Sequence, residues 1–149
     1  MTTIYEMAKT LPNMGIKSPA VWLPYGVLGV STSEILADES KGKFGPFAGQ
    51  LFVGDQGMSK IARVFLEKVN GKYQGASFDF MSGFRSGVLR MTWGSDNSMF
   101  VGGTNRGWGS IGKEDFGLER LIFSGKMPFE MKAVRAMPDG FEIEFTLPV

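Results

Sequence analysis

No cysteine and no histidine occur among the 149 residues. The first absence excludes disulfides, thiolate-held metal and a covalently attached c-type haem. The second removes the Ser-His-Asp and Cys-His nucleophiles and the usual zinc ligand sets. Neither sign of charge dominates: 16 Lys and Arg stand against 15 Asp and Glu, a net charge of +1. That leaves no broad basic footprint for nucleic acid or an anionic membrane surface. The first 18 residues also lack the basic start and continuous apolar run of a signal peptide or membrane anchor, so neither is expected in this chain. The lack of cysteine suits oxidising and reducing compartments alike. Any chemistry falls to carboxylates, Lys, Arg, Tyr, a hard cation or an organic cofactor.

Glycine and phenylalanine are abundant instead, with 21 Gly and 13 Phe, against an average glycine share of about 7%. Many turns between short strands whose aromatic side chains fill a core is an all-β pattern. The 43% hydrophobic and 21% charged composition suits a globular domain with a real core.

Two regions are expected. Residues 1–18 form an N-terminal helical or irregular segment: Thr3 and Glu6 have capping-box spacing, Ile4, Met7, Ala8 and Leu11 recur with helical period, and Pro12 stops the pattern. Residues 19–149 form the β domain, with strands expected at 21–25, 50–55, 61–69, 76–80, 87–93, 98–102, 118–123, 129–134 and 141–147. Phe141, Ile143, Phe145 and Leu147 alternate with Glu142, Glu144 and Thr146. Asn70-Gly71 and Pro138-Asp139-Gly140 supply hairpin turns.

An internal repeat has a period of 48 residues: Gln50-Leu51-Phe52-Val53-Gly54-Asp55 matches Ser98-Met99-Phe100-Val101-Gly102-Gly103. The second copy reads as four short strands, ending with 129–134. Four strands in about 40 to 50 residues is a β-propeller blade. The expected fold is thus a partial β-propeller of about three four-stranded antiparallel blades behind a short N-terminal helix. Propellers close with about four to eight blades, so open edges predict self-association or further blades as partners.

Gly107-x-x-x-x-Gly112-Lys113 misses the phosphate-binding loop because Glu114 stands where Ser or Thr holds magnesium. Asp115-Phe116-Gly117 matches a kinase metal motif by chance. The glycine-rich run from Gly102 to Ser110 is more informative. Asn105, Arg106 and Trp108 there offer an amide, a planar cation and a ring, suited to a flat anionic ligand or equally to packing between blades and an Arg106 to Asp115 pair. Asp55 and Gln56 occupy the matching loop of the first repeat and are candidates for the same rim. Asp55 suits a calcium ligand or proton acceptor, or else caps its own turn. Arg85, in the Ser82–Gly87 loop, is a further candidate anion contact or a solvated end. The ten Met residues show no copper-type clustering and read as core filler.

The stretches Gly42–Gln56, Arg63–Glu67, Tyr73–Ala76, Gly102–Ser110 and Pro138–Glu142, taken in order, resemble glucose/sorbosone dehydrogenase-type β-propellers, above all those joined to c-type haem domains in large bacterial proteins. The likeness covers roughly 18–149. It implies oxidation of a sugar or polyol with pyrroloquinoline quinone and calcium, in a periplasmic or extracellular setting, with Asn105, Arg106 and Trp108 near the cofactor. The family's histidine base has no counterpart here, nor does a haem-binding Cys-x-x-Cys-His. The chain alone is therefore expected to lack turnover, and a non-catalytic module binding a glycan or a protein is the alternative.

Overall fold

A computed structural model describes residue 6 and residues 9–105 and 107–149. The fold is all-β, and its nine strands among the described residues form three antiparallel sheets. The first contains β1 (Thr32–Ala37), β2 (Leu51–Asp55), β3 (Lys60–Val69) and β4 (Lys72–Ser82), paired in that order. The second contains β5 (Val88–Trp93), β6 (Met99–Thr104) and β7 (Phe116–Leu121). β8 (Met131–Met137) and β9 (Gly140–Phe145) form a separate hairpin. Three four-stranded blades were expected; the sheets have four, three and two strands, and none closes on itself.

Turn chemistry fixes the long β3–β4 hairpin. Val69 pairs with Lys72, and the intervening Asn70 and Gly71 have φ of 49° and 80°. Two positive φ values in a two-residue turn match the twist of the flanking strands, and Asn-Gly adopts them at least cost. Side-chain parity then sorts the sheet into two faces. Phe52 lies opposite Arg63, Arg63 opposite Phe78, and Gly54 opposite Ile61, which puts these five on one face.

The three-stranded sheet covers part of that face. Phe52 and Ile61 are fully buried, in one core with Phe44, Phe47, Val88, Met91, Met99 and Val101. Phe44 meets Phe52 edge to face at 5.8 Å and Trp93 at 4.9 Å, an arrangement that ring quadrupoles favour. The two sheets are tied by side chains. Ser33 Oγ donates to the Val88 carbonyl at 2.9 Å, and Trp93 Nε1 donates to the Ala37 carbonyl at 2.8 Å.

The β8–β9 hairpin docks farther along the same face. Arg63 Nη2 donates to the Met131 carbonyl at 2.6 Å and Nη1 to Lys132 at 3.1 Å, while the Ala136 N–H donates to Glu67 Oε1 at 2.9 Å. That last bond is the main reason the Glu67 carboxyl lies below the usual range, with Gln74 adding to it. Arg63 itself is buried between the Phe47 and Phe78 rings, its guanidinium carbon 3.9 Å and 4.3 Å from their centroids. Burial lowers its pKa to about 10, against the opposing pull of Glu130, so it remains a cation at neutral pH.

Val53, Ala62 and Val64 are buried on the opposite face. An irregular strap, residues 20–31, runs across it: Ser77 Oγ donates to the Trp22 carbonyl at 2.8 Å and Lys60 Nζ to Val27 at 3.2 Å.

Several expectations need correction. Residues 21–25 are not a strand, because Pro24 lacks a ladder donor and its carbonyl accepts the N–H groups of Val27 and Leu28 in a turn. Their place as the first strand is taken by β1, which was not anticipated. Residues 129–134 do not complete the second sheet; β8 pairs with β9 through the Met137–Gly140 turn, and β7 is left as an edge. Near the N-terminus Glu6, Lys9 and Thr10 are helical, and a 3-10 turn follows at Leu11–Met14, so the chain keeps turning through Pro12. Thr3, Ile4, Met7 and Ala8 lie outside the described residues.

Candidate functional site: a stitched loop cluster and an open sheet face

The β2–β3 turn, the Ser82–Gly87 loop and the β6–β7 loop converge at one end of the two sheets. Asp55 organises the first. Its carboxylate is fully buried and accepts the N–H groups of Val30 and Ser31 on Oδ2 and of Met58 on Oδ1, each at 2.7 Å. These bonds hold the strap and the turn together. Gln56, also buried, reaches across the repeat and donates to the Thr104 carbonyl at 3.1 Å and the Trp108 carbonyl at 3.3 Å.

Asn105 closes the second loop on itself. Its Oδ1 accepts the Gly87 N–H at 3.2 Å, and Nδ2 donates to the Gly112 carbonyl at 2.6 Å. The Ser59 hydroxyl donates to Ser110 Oγ at 3.0 Å and accepts the Gly112 N–H at 2.9 Å. Backbone contacts bring in the third loop: the Arg85 carbonyl accepts the Glu114 N–H at 2.9 Å, and the Arg85 N–H donates to Glu119 Oε2 at 3.0 Å.

Asp55, Gln56, Asn105 and Trp108 are therefore brought to one end, as the repeat implied. Their polar groups mainly bond loop to loop. Trp108 keeps its ring 75% exposed, and the Arg85 side chain is exposed at the same end. Arg106 lies outside the described residues.

The resemblance implies a quinone and calcium at these loops. Asp55, fully buried with three backbone donors on its carboxylate, does not fit a calcium ligand in this arrangement. Among the described residues no three acidic side chains gather as a cation site would need. Asn105 spends both ends of its amide on the loop, which leaves Trp108 as the one accessible ring among the proposed contacts. Among the described residues no helix is long and apolar enough to cross a membrane.

The second feature is the outer face of the three-stranded sheet. Parity places Thr92 opposite Phe100, Phe100 opposite Arg120, and Gly102 opposite Leu118. Leu118 is 76% exposed and Phe116, next but one along β7, 81%. By the 48-residue repeat Phe100 corresponds to Phe52 and Gly102 to Gly54. The same pair of positions is sealed under a neighbouring sheet in the first repeat; in the second no sheet lies over it, and Phe100 is half-buried with the Arg120 guanidinium carbon 5.7 Å from its ring centroid.

Sequence reasoning singled out neither this face nor Gln50 and Arg63, which hold the hairpin. An Arg within the apolar run Ile61-Ala62-Arg63-Val64-Phe65 was the available signal for a buried cation. Nothing local marked β7 as an edge, because that depends on where β8 pairs. Comparison with known proteins finds no matching family model, no matching curated protein and no matching solved structure.

Proposed function

We propose that the chain is a non-catalytic interaction module of propeller type, a stack of sheets whose open outer face takes the same face of a second copy. The observation that carries this is the unequal cover of the repeat: Phe52 and Gly54 lie beneath a sheet, while Phe100, Gly102, Leu118 and Phe116 have none. Leu118 and Phe116 are large exposed apolar side chains on that face, and such side chains favour face-to-face packing at about 10 Å, the sheet separation found in sandwiches. Two identical faces pack isologously, as in the commonest oligomers. The far face of the four-stranded sheet is unsuited to the role because the strap occupies it. Kinship to sugar dehydrogenase-type propellers belongs to this reading as shared architecture, without a catalytic assignment, since the chain has no histidine base.

The absence of cysteine makes the test clean. Thr92→Cys puts a single thiol on the outer face, and Ser124→Cys puts one on the linker after β7. A short bis-maleimide should cross-link the first into dimers and leave the second monomeric. Equal yields from the two variants would overturn the proposal.

A second reading, glycan binding, is favoured by the exposed Trp108 ring on a loop tied down at Asn105, Ser110 and Gly112. A glycan array on which Trp108→Ala matches the parent would remove it.

A further inference from the structure

We propose that a cleft between β7 and the loop before β2 is a binding site for a small aromatic monoanion, independent of the outer sheet face. The cleft has a volume of about 520 Å³, within the range of about 300–1,000 Å³ usual for small-ligand sites. Its walls include four phenyl rings, Phe44, Phe47, Phe80 and Phe123. They come from three separate parts of the chain: the loop before β2, strand β4 and the segment after β7.

The rings explain the ligand's body, because edge and face contacts from several directions select a flat aromatic group over an extended polar one. Lys126 explains its charge. The only charged side chains lining the cleft belong to Arg120 and Lys126, both cationic. Arg120 is committed elsewhere: its guanidinium is ion-paired with Asp96 and donates through Nε to Ser98 Oγ at 2.9 Å. Lys126 has no ion-pair partner among the described residues. No acidic side chain lines the cleft to repel an anion. An apolar hollow whose lining includes one lysine free of any ion pair matches a ring system bearing one carboxylate or sulfonate.

Loop geometry keeps the hollow in place. Gly45 has φ of 132°, a conformation other residues rarely adopt, and it brings the loop backbone against Phe123: a Cβ at Gly45 would stand 3.6 Å from that ring. Phe44 and Phe47 on either side are anchored in the core.

The test uses two probes on the intact chain, 1-anilinonaphthalene-8-sulfonate and its uncharged relative N-phenyl-1-naphthylamine, titrated by fluorescence. The expected result is one sulfonate site per chain, weakened about threefold to tenfold by Lys126→Glu, with the neutral probe unaffected by that change. Phe123→Ala should weaken both probes, and Leu118→Ser, on the outer sheet face, should weaken neither. Unchanged sulfonate binding in Lys126→Glu would overturn the proposal. So would loss of both probes in Leu118→Ser, which would place the site on the outer face instead.

Discussion

In the four-stranded sheet Phe52 and Gly54 are sealed beneath the three-stranded sheet, whereas 48 positions on Phe100 and Gly102 lie half-buried on a face with no sheet over it, beside an exposed Leu118. The strands carrying the two pairs have the same parity and the same second place in their sheets. The difference is what arrives next in the chain. After the first repeat come β5 and β6, which pack on it. After the second comes β8, which Arg63 and Gln50 capture by its carbonyls and draw back to the first sheet. One repeat is thus finished from within the chain, and the other keeps the face that we propose a second copy covers.

The largest effect that can break this comparison is a truncation at the two equivalent rings. Phe52→Ala should cost about 3–5 kcal/mol in urea unfolding, as a fully buried ring does, while Phe100→Ala in the monomer should cost less than about 1 kcal/mol. Similar losses at both would mean that the second face is already packed.

Asp55→Ala comes next, at about 3 kcal/mol, because three backbone N–H groups lose their shared buried acceptor together. The repeat has Gly103 at the matching position, so the strap over the first sheet depends on a carboxylate that the second lacks. Urea unfolding reads the loss, and hydrogen exchange at Val30 and Ser31 should quicken in step if the strap is what loosens.

The glycines give a finer contrast. A Cβ at Gly54 would come within 2.8 Å of Val88 Cγ1 and 2.9 Å of Ser33 Oγ, whereas one at Gly102 would meet nothing closer than 3.8 Å. Gly54→Ala should therefore destabilise by about 1–3 kcal/mol, and Gly102→Ala should be neutral or slightly stabilising, since alanine orders a strand at lower entropic cost. The same pair of melting curves distinguishes a packed interface from an open one.

The smallest effect concerns acid. Asp96, at the β5–β6 turn, has its pKa lowered to about 2, first by the Ser98 hydroxyl and N–H and then by Arg120. A depressed carboxyl stabilises the fold above its unfolded pKa, near 4, and loses that contribution as pH falls from about 4 toward 2. Asp96→Asn should flatten the stability profile of the three-stranded sheet across that window; an unchanged profile would show that the pairing adds nothing there.

Much of this architecture was readable from residues. Asn70-Gly71 marked its hairpin because only a few residues tolerate two positive φ values. The short run 98–102 located β6, and the period of 48 matched it to β2 at positions that prove equivalent in parity. β1 escaped because Thr32-Ser33-Glu34-Ile35-Leu36-Ala37 has modest strand propensity, and its pairing with β2 is set by tertiary packing. The alternating Phe141-x-Ile143-x-Phe145 was clear as a strand, yet Phe141 and Ile143 are exposed, since periodicity reports a face and not what covers it. The loop residues converged as the repeat implied, but their hydrogen-bond partners were not legible: whether Asp55 caps backbone or faces outward depends on the strap, 25 residues away.

Completion of the second repeat by a second copy can be read from sedimentation velocity over a concentration series for the parent chain and for Leu118→Asp. A monomer–dimer equilibrium is expected in the parent, and the charged variant should abolish it without altering the melting curve in the monomer range. A parent chain that stays monomeric at the highest concentration, or a dimer that survives Leu118→Asp, would contradict it.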